Sequence, residues 1–441
     1  MTFRRLLAVS TLSLALSAGL AQARENGTAP VALDRIEAAV TAGMPRVIAW
    51  RRDLHANPEL GFAETRTAAL VAAHLRALGM EVRTEVGKTG VVGILRGGRP
   101  GGVVALRADM DALPVLEATG LPFASTAIGT YMGSTVPVAH ACGHDAHVAM
   151  LMGAAEVLAG MREDISGTIV FIFQPAEEGA PPGEPLGGAR LMIQEGALAN
   201  PRPDAIFGLH VVPGLPGTVF YRPRGFMAAS DRVDITLNGR QTHGAWPWKG
   251  VDVIATAAQI VQTINTLTAR TIDPTTTPTV FTIATLDAGV RYNIIPDRAV
   301  LSGTLRTFDI AQRDDLVART RVAIDNVAET YGATAEFTVR QNAALVFNNE
   351  ALSAWLAPVL TEAAGAGNVN PATPPTTVAE DFSYLSQEVP GVFYHLGGSK
   401  DGVDPSTSPP NHSPEFDVNE AVLPLGVRTH VLSAIRFLER D

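Results

Sequence analysis

Past residue 30 the apolar positions follow two alternating rhythms. From Val31 to His55 and from Glu64 to Leu78 they recur at helical spacing, and Gly79 stands where the second helix would be capped. Short runs rich in β-branched and apolar residues follow at Met80–Val86, Gly90–Leu95 and Val103–Arg107, separated by Gly, Lys and Pro turns, and these predict strands. Gly143–Leu158 reads as a helix. Gly167–Phe173 reads as a continuous apolar strand running directly into Gln-Pro-Ala-Glu-Glu-Gly. The alternation predicts an α/β fold, a mixed and mainly parallel sheet flanked by helices. Such sheets collect ligands at the carboxyl ends of their strands, where Glu177, Glu178 and His210 fall.

A Pro- and Gly-rich stretch, Pro213–Gly225, precedes a different order: strand Arg232–Leu237, helix Val251–Thr268, strands Thr279–Leu286 and Ala299–Thr307, helix Ala311–Tyr331, strand Ala335–Arg340. This β-α-β-β-α-β succession predicts an inserted ferredoxin-like α+β domain. The α/β texture then returns, with a helix at Glu350–Ala364, a strand at Gly391–Leu396 and a last helix at Glu420–Leu438. The chain thus divides into a leader (1–23), a main domain in two pieces (24–225 and 341–441) and an insertion (226–340). Thr/Pro clusters at 274–278 and 371–377 have the composition of ordinary surface loops.

Composition narrows the function. At 441 residues, 46% hydrophobic and 18% charged, the chain suits a globular protein of two domains. A formal charge of −10 without a basic run argues against nucleic acid and anionic membranes as partners and leaves a small molecule. Arg4 and Arg5, the apolar run Leu6–Leu20 and Ala21-Gln22-Ala23 fit a secretory signal cleaved after Ala23, so export is expected, to the periplasm before full secretion. No later segment reads as long and apolar enough to span a membrane, and none is expected to associate with one after signal removal. The single cysteine, Cys142, cannot form an internal disulfide, and metal ligation would explain a lone thiol in an oxidising compartment.

The chemistry is concentrated. His-Ala-Cys-Gly-His-Asp-Ala-His, residues 140–147, holds that cysteine and three of the ten histidines. Cys142 and His144 lie close enough to reach one metal, with Gly143 permitting the bend. The adjacent carboxylates Glu177 and Glu178 repel each other unless a cation lies between them; one would ligate and the other carry a proton. His140 and His147 are weaker candidates, as suited to packing as to ligation. His210 and His412 are unremarkable alone.

The strings RRDLHANPELGFAE (51–64), LRADMDALPVLE (106–117), HACGHDAH, FQPAEEG (173–179), GLHV (208–211), THGAWP (242–247), YNIIPD (292–297) and NHSPEF (411–416) resemble, in order, the amidohydrolase branch of the aminoacylase/carboxypeptidase metallopeptidase family. That branch includes hippurate hydrolases, N-acyl-amino-acid amidohydrolases and indole-acetyl-amino-acid hydrolases. The resemblance implies metal ligands Cys142, His144, Glu178, His210 and His412, with Cys142 shared by two divalent ions, Mn or Zn before Co or Ni. It implies Glu177 as general base and His243 as the insertion's oxyanion-holding histidine, in some members supplied by a second subunit. It places Asn293 and Arg306 at the substrate and Asp109 and Asp111 behind the ligands. The expected activity is hydrolysis of N-acyl amino acids or related small amides and dipeptides by a homodimer joined through the inserted lid. The alternative is an inactive relative serving as a periplasmic small-molecule binding protein. Trp246 and Trp248 could line an acyl pocket or pack between domains.

Overall fold

The computed structural model describes residues 31–275 and 277–440, so the expected leader, residues 1–23, lies outside the described residues. Helices α1 (Leu33–Ala56) and α2 (Thr65–Ala77) form where the helical periodicity predicts, each burying one stripe: Ile36, Val40, Val47 and Leu54 on α1, Val71 and Leu75 on α2. Strands β1 (Glu81–Val86), β2 (Gly90–Arg96) and β3 (Arg99–Asp109) follow. β3 begins earlier than its apolar run because backbone pairing continues outward, Arg99 lying opposite Ser166. Helix α3 (His144–Gly160) is apolar all round and almost wholly buried, as a helix enclosed by protein must be. Strands β4 (Ser166–Gln174), β5 (Ala205–Val212) and β6 (Val219–Phe220) complete the first half. The last of these lies within the Pro/Gly-rich stretch, which therefore adds a strand as well as a connection.

The insertion contains β7 (Ala229–Asn238), α4 (Val253–Thr271), β8 (Thr279–Ala288), β9 (Arg298–Thr307), α5 (Ile310–Thr330) and β10 (Thr334–Ala343). Its four strands are ordered β8-β9-β7-β10, all antiparallel, which is the ferredoxin-like arrangement. Val233, Ile235, Ile260, Leu301, Leu316 and Phe337 make a core of its own.

The chain returns through α6 (Glu350–Ala364), β11 (Val369–Asn370), β12 (Gly391–Gly397) and α7 (Leu423–Leu438). The large sheet is ordered β1-β2-β4-β3-β5-β12-β6-β11. Its centre, β4-β3-β5-β12, is parallel, and antiparallel pairs flank it at β2–β4 and β12–β6. Parallel strands covered on both faces bury nearly every side chain, which is why β4 and β5 read as unbroken apolar runs. Against the sequence expectation, Glu420–Leu438 is apolar and long enough by composition to cross a membrane; here it is a core helix, 78% buried in its most apolar window. Because the four central strands share a direction, their carboxyl ends open on one edge, and the site lies there.

Candidate metal and active site

Cys142, His144, Glu178 and His210 lie at or just beyond the ends of central elements, and His412 comes from the irregular segment between Thr407 and Glu420. Gly143, in the left-handed region at φ 97°, turns the chain so that Cys142 precedes α3 and His144 begins it. His144 Nδ1–H donates to the carbonyl of Asp111 at 2.8 Å. A carbonyl only accepts, so the ring's lone pair is at Nε2, a buried nitrogen without a hydrogen-bond partner. His210, near the end of β5, repeats the device: Nδ1–H donates to the carbonyl of Val211 at 2.9 Å, and Nε2 is 3.4 Å from Cys142 Sγ. Both imidazoles thus present Nε2 to the thiol, the orientation that a carbonyl-anchored ligand takes.

Glu177 and Glu178 follow β4 after a strained turn in which Ala176 has φ 44°. Glu64, buried, accepts from the Ala176 N–H at 2.9 Å and holds that turn. Glu178 Oε1 is 3.0 Å from His412 Nε2, and the Glu178 N–H donates to Asp111 at 3.1 Å. His412 itself is held at φ 71° by donation of its N–H to the carbonyl of Ala141 at 2.6 Å. Ligand atoms of Cys142, His144 and His210 lie within 4.8 Å of one another, as do those of Cys142, Glu178 and His412, and those of His144, Glu177 and Glu178. Cys142 joins the first two sets, so this donor array suits two cations sharing a thiolate.

Electrostatics separate the two glutamates. Burial, then the carboxylates of Glu380, Glu178 and Asp381, raises the proton affinity of Glu177 well above the ordinary carboxylate range. Its Oε1 accepts from the Asp381 N–H at 3.3 Å, and Oε2 is 3.8 Å from His144 Nε2. Burial also raises the Cys142 thiol and pushes His210 far below the usual imidazole value, so a bound cation is needed to favour thiolate at this position.

The other histidines of the 140–147 motif are spoken for or remote from solvent. His147 Nε2 accepts from the Val211 N–H at 2.9 Å, so Nδ1–H donates to Asp109 at 2.6 Å and neither nitrogen is left to ligate. Asp109 in turn receives Arg107 at 2.7 Å. Burial pushes His140 down to about 4.

Three cavities border the cluster, one of about 670 Å³ reaching only Glu178 from the side of Leu60, Asp111 and Tyr131, and two reaching both glutamates. Of these two, one, about 400 Å³, is lined by Cys142, Glu177, Glu178, His210 and His412 and walled by Phe220, Phe226, Met227 and His395. Thr373, Pro374 and Thr376 also line it, so the cluster at 371–377 is a wall of the site and not an ordinary surface loop. The other, about 610 Å³, lies between the large sheet and the insertion and carries Arg190, Arg306, Gln341, Asn342 and Tyr384 beside the same two glutamates. Arg306 therefore borders the site.

Residues 105–436 match the profile of Peptidase family M20/M25/M40. The chain belongs to this family. It is 40% identical over 394 residues to thermostable carboxypeptidase 2 of Saccharolobus solfataricus, covering 89% of this chain and 95% of that protein. It is 35% identical over 398 residues to N-acetylcysteine deacetylase of Bacillus subtilis, covering 89% and 97%. Among solved structures, the YxeP protein of Bacillus subtilis, a dinuclear metal-binding peptidase of the M20 family, superimposes with TM-score 0.75 at 32% identity over 91% of this chain and 100% of that one.

Within this M20 chain two candidate residues stand apart from the cluster. His243 and Asn293 lie on a short ribbon of the insertion, Thr242–His243 paired with Ile294–Ile295. His243 is exposed, its Nδ1 accepting from the Ala245 N–H at 3.0 Å, and it lines none of the three cavities. Asn293 is likewise absent from their linings, and its carbonyl accepts from Gly244 at 2.9 Å. On this ribbon His243 faces solvent, whereas Asn293 is half-buried with an enclosed Oδ1 that finds no partner. Trp246 and Trp248 are 51% and 74% exposed, so neither packs between domains within the chain.

Sequence reasoning missed a second polar layer. Arg107, fully buried, binds Asp109, Glu380 at 2.9 Å and Asp381 at 3.1 Å, and Gln174 donates to Asp381 at 2.6 Å. Burial, only partly offset by Arg107, pushes Asp381 up to about 8. The available signal was an adjacent Glu-Asp pair set between Ala379 and Phe382, two charges in an apolar context. The RRDLH string is a buttress. Arg51, 1% exposed, pairs with Asp145 at 3.0 Å and Asp417 at 2.5 Å, and His55 binds Asp145 at 2.8 Å, tying α1 to the start of α3.

Proposed function

We propose that this protein is an exported, metal-dependent amidohydrolase that cleaves the amide bond of N-acyl amino acids or related small amides and dipeptides. The observation that carries the reading is the convergence of Cys142, His144, Glu178, His210 and His412, with two imidazoles anchored through Nδ1 so that Nε2 faces the cluster and the Glu177 carboxylate 3.8 Å from His144 Nε2. Those five would hold two divalent ions, Mn or Zn before Co or Ni, with Cys142 common to both; the orphaned His144 Nε2 and the soft thiol fit such a group. When bound, the ions supply Lewis-acid polarisation of the scissile carbonyl and acidify water. Glu177 takes the proton of the attacking water and returns it to the leaving amine nitrogen, the paired role open to one positioned carboxylate. Arg306 and Arg190 offer positive charge to the substrate carboxylate in the polar cleft. The relatives named for carboxypeptidase and deacetylase activity support the same class of bond.

His243 enters from a second copy on this reading. β8 is an edge strand of the insertion's sheet, with Val280 and Leu286 exposed, and the chain continues from it through Val290 and Tyr292, 98% and 94% exposed, to the His243 ribbon and Trp246. A free edge beside contiguous exposed apolar residues favours a self-complementary contact. The basic, apolar and small-residue succession of residues 4–23 supports export. The test is release of free amino acid from a panel of N-acyl amino acids by protein stripped with chelator and reloaded separately with Mn²⁺ and Zn²⁺. Activity should vanish on stripping and return on reloading; inactivity across the panel with ions bound would overturn the reading.

A further inference from the structure

The apolar cavity has one wall residue whose presence packing does not explain. Phe220, Phe226 and Met227 line it as apolar bulk, and a phenylalanine at position 395 would do the same. His395 is 6% exposed and surrounded by aromatic rings, with centroids of Phe226 at 4.6 Å and Phe220 at 5.5 Å. Its Nε2 is enclosed with no hydrogen-bond partner, and no described residue bonds its Nδ1. The enclosed Nε2 is out of a ligand's reach, so Nδ1, which is not enclosed and takes no bond from a described residue, is the ring nitrogen open to a partner from the cavity.

Position identifies that partner. His395 stands directly opposite His210 in the β5–β12 ladder, one strand from a candidate ligand, so a molecule whose carbonyl lies at the cluster can reach it. The polar cleft on the other flank holds Arg190 and Arg306 and suits the amino-acid carboxylate, which leaves the acyl group for the apolar side. A volume of about 400 Å³ admits a ring-sized group. A hydroxyl both donates and accepts, and so satisfies either tautomer of the imidazole.

We propose that His395 is a specificity-determining residue that hydrogen-bonds a hydroxyl on an aromatic acyl group of the substrate. The identity of that group as the acyl side rests on the amidohydrolase reading; the chemistry of the cavity does not. Two measurements on metal-loaded protein test it: calorimetric binding of 2-, 3- and 4-hydroxyphenylacetate against phenylacetate, and kcat/KM for glycine amides of the same four acids. Wild type should favour at least one hydroxylated isomer about tenfold over the parent. His395→Phe should abolish that preference, read as the ratio of each hydroxylated compound to its parent within the same protein, and His395→Gln should retain part of it. Equal isomer ratios in wild type and His395→Phe would overturn the proposal. So would a wild type that binds all four acids alike, whether or not the variants fold. Wild-type binding preference that depends on His395, with no hydrolysis of any amide, would defeat the amidohydrolase reading and leave the His395 assignment standing.

Discussion

Asn411 donates from Nδ2 to the carbonyl of Cys142 at 3.0 Å and to the carbonyl of Val211 at 3.1 Å, so one side chain joins the loops that carry three candidate ligands, Cys142, His210 and its own neighbour His412. Its contribution is orientation, because it offers amide hydrogens to the backbone on either side of the cluster. Asn411→Ala should therefore weaken metal binding by about 10- to 100-fold, the usual effect of removing an outer support. Competition with a chromophoric chelator measures this, and far-ultraviolet circular dichroism should show the fold retained.

The buttress under the site makes stability depend on pH. Burial opposes charge on His55, but Asp145 at 2.8 Å and Glu117 at 3.0 Å outweigh it and raise its pKa from 6.5 to about 9. The folded state therefore binds this proton more tightly than the unfolded chain. Its stabilisation is complete below pH 6.5 and is lost as pH rises to about 9. Denaturant unfolding should show wild type losing up to about 3 kcal/mol across that window, and His55→Gln should lack that component.

The helices and the central strands were legible because each buries a regular stripe or an unbroken run: α1 through Ile36, Val40, Val47 and Leu54, β4 through Ile169–Phe173. The order of insertion elements likewise carried its topology. Cys142, His144, Glu177 and Glu178 announced themselves by local density. Glu380 and Asp381 did not, since their meaning depends on Arg107, some 273 residues away, and a buried ion network leaves no periodicity. The hairpin Ile128–Tyr131 with Ser134–Pro137 was also missed; its residues are mostly exposed and give no inward-outward contrast to read. The placement of His243 outside the cluster follows from the three-dimensional path of a ribbon that sequence spacing does not encode.

If His243 acts across a subunit boundary, two inactive proteins should repair each other. A mixed dimer of His243→Ala and Glu177→Gln chains contains one site with an intact Glu177 facing the His243 of the partner subunit. Co-refolded in equal amounts, the variants should recover about one quarter of wild-type activity, since half of random dimers are mixed and each has one complete site. Recovery of none would place His243 within its own chain's site, and a His243→Ala protein that is active by itself would place it outside the reaction.

The central claim is that Glu177 moves the proton while its neighbour Glu178 ligates. Glu177→Gln keeps the shape and removes the base, so kcat should fall by about 10²- to 10⁴-fold with bound metal unchanged from wild type. Turnover near the wild-type rate, or loss of metal from that variant, would contradict the account.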